Sequence, residues 1–241
     1  MPDIIDINTL FGPLPIASAD LAPEDLLELL NRHEINTAYT LSTLGLLLDP
    51  QVGNASTRAA CSENPLLRPV ATLDPTLYFG DEANVQKLKT DGFAFVRFFP
   101  YSQKWPIEYA PFQALCRVLD SMQMPIMIDV EKIGVISQLS NLLANHASPV
   151  ILTGVDAHLL AEGLAVWRER KNWFAETSRL LSPGALKLIA DSVGVGRLLY
   201  GSGAPFTPPA SALQALTYAG LSEEAQQDIL SGNAARLLAR R

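Results

Sequence analysis

The chain has 241 residues, 48% of them hydrophobic, and 25 acidic against 18 basic side chains, for a formal charge of -7. This length supports one large core as readily as two small ones, and a single domain over residues 1–241 is expected, since barrel domains reach this size. The acidic balance excludes a basic nucleic-acid surface and argues against an anionic membrane partner, and no apolar run approaches the roughly 18 residues of a spanning helix.

Met1-Pro2-Asp3-Ile4 shows no basic region ahead of an apolar stretch, so a cytoplasmic location is the expectation. Cys61 and Cys116 stand far apart without CxxC spacing, which points to two reduced thiols rather than a disulfide or thiolate metal site.

Eight short apolar runs rich in Val, Ile, Leu and Phe follow in order. They cover residues 3–7, 36–41, 67–73, 93–98, 125–130, 149–153, 172–176 and 197–201. Segments of helical spacing separate them, and that alternation argues parallel strands joined by crossover helices. Eight such units in roughly 250 residues is the size of an α/β fold of the (β/α)8 TIM-barrel type, with some distortion of the ring allowed. A doubly wound open sheet is the alternative. It is disfavoured because Gly12 stands alone after the first run, without a GxGxxG or GxxxxGK[ST] turn.

Helix signals agree with the unit count. Pro23 precedes Glu24 and Asp25, a first-turn pattern for a helix running toward His33. Ser182-Pro183 reads as a cap and first position for a helix through Leu186, Leu188 and Ile189. Ser222-Glu223-Glu224 opens a helix expected to break at Gly232, with Asn233 capping a last short helix from Ala234 to Leu238. The aromatic and proline-rich stretches Phe98 to Trp105 and Phe206 to Pro209 read as loops over the barrel mouth.

The first run continues Ile4-Ile5-Asp6-Ile7-Asn8-Thr9-Leu10-Phe11-Gly12 and the eighth Leu198-Leu199-Tyr200-Gly201-Ser202-Gly203-Ala204-Pro205. Both frames, and the tail from Ser222 to Leu238, resemble the amidohydrolase superfamily, in the amidohydrolase-related branch of decarboxylases and lactonases. The resemblance implies a barrel whose first strand carries His-X-His and whose eighth carries Asp, together holding a catalytic metal. Here Asn8, Leu10 and Gly203 hold those places, and Asp129 and Gly154 stand where histidines of the fifth and sixth strands are implied. No cofactor and no metal site are therefore expected.

Candidate chemistry concentrates at strand ends. Asp129, Glu176 and His158 are the candidates for acid/base work. Arg97, Asn8 and Asp156 are the candidates for substrate binding, Arg97 because its planar fork suits a carboxylate or oxyanion. A desolvated Glu176 needs a partner, and Arg97 or Arg179 is the expected one. His33 falls in the first helix and His146 precedes the sixth strand, at the other end. Gly201-Ser202-Gly203 lacks the GxSxG frame of a nucleophile elbow and reads as a turn.

Two functions fit. One is a metal-independent hydrolase or lactonase acting on a small, carboxylated and hence anionic substrate. The other is a non-catalytic barrel that binds a ligand or a partner subunit, so self-association stays open. An all-oxygen site for a hard cation, from Asp129, Asp156 and Glu176, is a third reading.

Overall fold

The structure is a computed structural model and describes residues 3–14 and 20–238. Strand β1 (Ile5–Phe11) leads through helix α1 (Pro23–Arg32) to β2 (Thr37–Ser42). Helices α2 (Leu44–Leu47) and α3 (Pro50–Glu63) follow, then β3 (Leu67–Pro69) and β4 (Ala71–Thr72). From α4 (Glu82–Thr90) onward the alternation is regular. It runs β5 (Val96–Phe98), α5 (Ala110–Ser121), β6 (Ile126–Asp129), α6 (Val135–Leu142), β7 (Val150–Thr153), α7 (Leu160–Glu169), β8 (Trp173–Glu176), α8 (Ala185–Val193) and β9 (Leu198–Leu199). Helices α9 (Pro209–Thr217), α10 (Glu223–Gln227) and α11 (Asn233–Leu238) close the described chain, and no described helix is long and apolar enough to cross a membrane.

All strand pairs are parallel, in two sheets ordered β1-β2-β3 and β4-β5-β6-β7-β8-β9. Backbone hydrogen bonds join the sheets at both seams. β3 and β4 are halves of one barrel strand that changes partner at Val70, whose N–H reaches Thr40 O while Ala71 N–H reaches Phe95 O. At the other seam Ile7 N–H donates to Tyr200 O (3.0 Å), Gly203 N–H to Asn8 O (3.0 Å) and Leu10 N–H to Ala204 O (2.9 Å). The eight expected runs thus form one ring, and the open-sheet alternative falls.

The apolar residues sort by strand parity into two cores. Ile7, Leu41, Val70, Phe95, Met127, Ile151 and Leu199 fill the barrel interior, floored at the strands' N-terminal end by Ala234, Leu237 and Leu238 of α11. The opposite strand faces meet the helix ring through Leu26, Phe112, Leu139, Trp167 and Ile189. Each such fully buried side chain contributes roughly 1.5–3 kcal/mol.

Three helix expectations need correction. The helix expected at Ser182-Pro183 starts at Ala185, with Gly184 as its N-cap at φ 77, a conformation glycine adopts without Cβ strain. The last helix does not break at Gly232: a π turn over Asp228–Gly232 carries α10 into α11. A Cβ on Gly232 would lie 2.6 Å from Asp228 Oδ1 in that turn. Asn233 does not cap the helix; its Nδ2 donates to Val195 O (3.0 Å) and Leu198 O (2.8 Å), fastening the tail to the entry of β9. Trp105 also departs from a mouth-loop role, packing in the outer core against Phe98 and Phe112 with ring centroids 6.2 and 4.9 Å away.

Helices α2 and α3 cross so closely that a Cβ on Gly53 would stand 2.1 Å from Gly45 N and 2.2 Å from Gly45 Cα. Both atoms are backbone, so neither can swing aside. Gly53→Ala is expected to lower unfolding free energy by about 1–3 kcal/mol in urea titration, the usual cost of overpacking, while a wild-type midpoint would refute the close-crossing argument.

Candidate active site

Strand β1 carries one more residue than its partner across the stretch from Asp6 to Thr9, where Asp6 pairs Ala38 but Thr9 pairs Thr40. This bulge switches parity within the strand. Ile5 and Ile7 pack toward the barrel interior, and beyond the bulge Asn8 and Leu10 face the mouth cavity instead. The extra residue leaves an N–H outside the ladder, and Asp6 satisfies it: Oδ1 accepts from Asn8 N–H and from Ser202 N–H, both at 3.0 Å. One fully buried carboxyl therefore pins the bulge and the β9–β1 seam together.

Above this seam the strand ends surround a cavity of about 540 Å³, within the usual size for a small-molecule site. A larger hollow of about 770 Å³ lies at the opposite, N-terminal end of the barrel beside Asp120, Lys171 and Leu238. The smaller one is the candidate, because barrel chemistry sits at the strands' C-terminal ends.

Arg97, from β5, lies in the wall of this cavity over the ring of Phe99, 4.6 Å from its centroid. Its Nε donates to Asp129 Oδ1 (3.0 Å), its Nη2 to Asp129 Oδ2 (3.3 Å) and its Nη1 to Asn8 Oδ1 (2.6 Å). Of five guanidinium N–H groups, two remain uncommitted. Burial raises the Asp129 carboxyl above the ordinary carboxylate range, and the Arg97 charge and hydrogen bonds oppose that rise. The Asp129 side chain keeps 23% of its surface exposed.

Glu176 lies beneath, fully buried, and the expected pairing with Arg97 or Arg179 does not form. Arg97 is taken by Asp129, and Arg179 is exposed at the rim of the cavity. Glu176 is instead surrounded by neutral donors. Thr153 Oγ1 donates to Oε1 at 2.7 Å, Ser178 Oγ to Oε1 at 2.8 Å and Ser178 N–H to Oε2 at 2.8 Å. Asn8 Nδ2 completes the cluster, reaching Thr153 Oγ1 at 3.2 Å and Ser178 Oγ at 3.5 Å. A carboxylate held by several donors needs no cationic partner.

The structure thus brings Asn8, Arg97, Asp129 and Glu176 into one network and leaves two candidates outside it. Asp156 lines the cavity, yet its Oδ1 accepts from His158 N–H (2.9 Å) and Leu159 N–H (3.3 Å), capping the turn into α7. His158 is exposed and does not line the cavity. Sequence reasoning missed Thr153, Ser178 and Asp6. Alternation from the interior residue Ile151 marks Thr153, not Gly154, as the inward position of β7.

A metal does not fit this arrangement. Asp129 is engaged by Arg97, Glu176 by hydroxyls and amides, and Asp156 by its turn, so the three carboxylates of the hard-cation reading do not converge. Among the described residues no group of three or more His, Cys, Asp or Glu could hold an ion.

Burial also raises the Asp6 carboxyl, from an ordinary 3.8 to about 7; hydrogen bonds from Ser202 and Asn8 oppose the rise, and the Glu176 charge adds to it. Because the folded value is the higher one, the folded state holds a proton that the unfolded state releases between these two values. Stability from this group is complete below pH 3.8 and lost as pH rises through about 7. Asp6→Asn keeps an acceptor for both N–H donors, so its unfolding free energy should gain on wild type by up to roughly 1.4 kcal/mol per pH unit across that window. Parallel pH–stability curves for the two proteins would exclude the titration.

The molecule's kinships agree with this architecture. A family model described as Amidohydrolase matches residues 71–240. Among solved structures, 2,6-dihydroxybenzoate decarboxylase in complex with 2,6-dihydroxybenzoate superposes at TM-score 0.80, with 14% identity over 99% of this chain and 100% of that one. A probable 2-pyrone-4,6-dicarboxylic acid hydrolase from Acinetobacter baumannii, with citric acid bound, gives 0.76 and 18% identity over 98% and 99%. An uncharacterized TIM-barrel protein from Bordetella bronchiseptica gives 0.77 and 19% over 98% of each chain. No curated protein matches the sequence.

Proposed function

The chain belongs to the amidohydrolase family, and from that premise we propose that it is a metal-independent hydrolase of a small carboxylated lactone or ester. The observation that carries this reading is the Arg97–Asp129 pair in the cavity wall. It supplies a fixed positive charge and a carboxylate of raised basicity within one hydrogen-bonded unit, the two requirements for holding an anion and activating water. The relatives named as a dihydroxybenzoate decarboxylase and a pyrone dicarboxylic acid hydrolase both take carboxylated rings in their names, which supports the same substrate class here.

In this reading the substrate carboxylate docks on the two uncommitted N–H groups of Arg97, with Arg179 adding charge at the rim. Asp129 takes a proton from water as the water oxygen adds to the carbonyl carbon. When the tetrahedral intermediate collapses, Asp129 returns that proton to the departing alkoxide oxygen. Glu176, sealed from the cavity, takes no proton in this sequence.

A second reading, a ligand-binding barrel without turnover, draws on the engagement of both Asp129 oxygens by Arg97. Chelator-treated protein separates the two. The hydrolase reading expects turnover of carboxylated lactones, with kcat/KM rising as pH passes an acid limb above the ordinary carboxylate range, because Asp129 acts as base only after losing its proton. Asp129→Asn should lower kcat/KM by about 10²- to 10⁴-fold. Wild-type turnover in that variant removes Asp129 from the role, and calorimetric binding of such lactones without any turnover favours the second reading.

A further inference from the structure

The hydrogen bonds between Glu176 and Arg97 have no freedom of direction. As a carboxylate Glu176 only accepts, so Thr153 Oγ1 and Ser178 Oγ, with one proton each, both commit it to Oε1. Their lone pairs are then left facing Asn8, which must turn its amide NH2 toward them. The Asn8 carbonyl is thereby aimed at Arg97 Nη1, a group that only donates.

We infer that Glu176 is a positioning residue for Arg97: its buried negative charge sets the polarity of the Thr153, Ser178 and Asn8 bonds and so locks the guanidinium against Asn8 and Asp129. Its functional meaning, presentation of the two uncommitted Arg97 N–H groups to an anionic substrate, rests on the hydrolase reading. The polarity itself is a property of the resting protein.

The consequence is a specific pattern of failure and rescue. Ser178 N–H is a backbone donor that cannot turn, and it points at Glu176 Oε2. In Glu176→Gln the amide oxygen keeps the 2.8 Å bond from that N–H in preference to the weaker 3.4 Å contact of Gly154 N–H at the Oε1 position, which turns the amide NH2 toward the two hydroxyls. The hydroxyls then accept and send their own protons toward Asn8, whose amide flips and presents NH2 to Arg97, donor against donor. Asn8→Asp alone also fails, because its carboxylate meets two hydroxyls whose protons are already given to Glu176. The double variant is consistent again: the amide now at position 176 donates to the hydroxyls, the hydroxyls donate to the carboxylate at position 8, and that carboxylate accepts from Arg97.

The test reads the exchange of Arg97 guanidinium protons with water by 15N NMR of the full chain, the signals being assigned by their loss in Arg97→Lys. Each single variant, Glu176→Gln and Asn8→Asp, should exchange about tenfold faster than wild type, in keeping with loss of a charged hydrogen bond, and the double variant should return to within about threefold. Unchanged exchange in Glu176→Gln overturns the inference. So does a double variant no slower than the singles, because a purely packing role for Glu176 gives no rescue. Where far-UV circular dichroism shows Glu176→Gln unfolded, Thr153→Val removes one of the two hydroxyl links, and exchange no faster than wild type in that variant overturns the inference equally. Hydrolysis is not part of the readout, so absence of turnover strikes the proposed function and leaves this result standing.

Discussion

A single extra residue in β1 is the constraint on which the rest of this barrel depends. Side chains in a strand alternate with period two, so a one-residue change of register exchanges the faces. With Ile5 and Ile7 on the interior side, a regular strand would turn Thr9 into the mouth and Asn8 outward. The bulge between Asp6 and Thr9 reverses this and places Asn8 within hydrogen-bonding reach of Arg97 from β5, Thr153 from β7 and Ser178 just beyond β8. Without it the strand ends share no common polar centre. Asp6 holds the bulge, and because the same oxygen also accepts from Ser202 N–H, the device that aims Asn8 also closes the ring.

Three buried or half-buried carboxyls within this small volume find three different solutions to the cost of desolvation. Asp6 has two backbone donors on one oxygen and the hydrogen bonding of Ser202, and burial still pushes its carboxyl up to about 7. Asp129 has a guanidinium, which opposes the effect of burial without cancelling it. Glu176 has two hydroxyls and two backbone N–H groups, all neutral and all pointed at it. A charge satisfied by neutral dipoles orders its surroundings, since every hydroxyl proton it accepts fixes the direction of the next bond. A charge satisfied by a cation does not impose that order beyond the pair. This is why Glu176, which never meets the cavity, bears on the geometry of the cavity wall more than Asp156, which lines it.

How far the sequence disclosed this follows from the range of each interaction. Strand spacing and apolar alternation are local, and the eight runs from residue 3 to 201 anticipated the observed ring. Arg97, Asp129, Asn8 and Glu176 were legible as polar residues at strand ends. The bulge was not, because Ile7-Asn8 reads as ordinary strand and only the pairing with β2 reveals the extra residue. Partner choice was also hidden: Glu176 called for a cation by charge alone, whereas Arg97 is bonded to Asp129, and alternation could mark Thr153 as inward but not show that its hydroxyl and that of Ser178 meet on Glu176. Alternation from Ile151 turns Thr153 inward, and its neighbour Gly154, where the family resemblance implies a histidine, lines the cavity beside it.

The glycines at the strand ends bear on how closely this centre is packed. Removing a large inward side chain from a packed wall and changing nothing else leaves a hollow. Here the first atom of such a side chain would already meet a neighbour. A Cβ on Gly154 would lie 2.6 Å from Val130 O, on a residue already at φ 88; one on Gly201 would lie 2.4 Å from Glu176 Oε2; one on Gly203, at φ 74, would lie 3.0 Å from Ser178 Cβ. Backbone or network atoms stand close beside each of these positions, and Glu176 in particular uses the room that Gly201 leaves. A side chain introduced at Gly201 or Gly203 would have to displace Glu176 or Ser178, which now orient Asn8 and Arg97, and one at Gly154 would press on the Val130 carbonyl. The polar centre is therefore a closely packed unit, in which a guanidinium stands among the strand ends and a buried carboxylate below it is linked to it through hydroxyls and an amide.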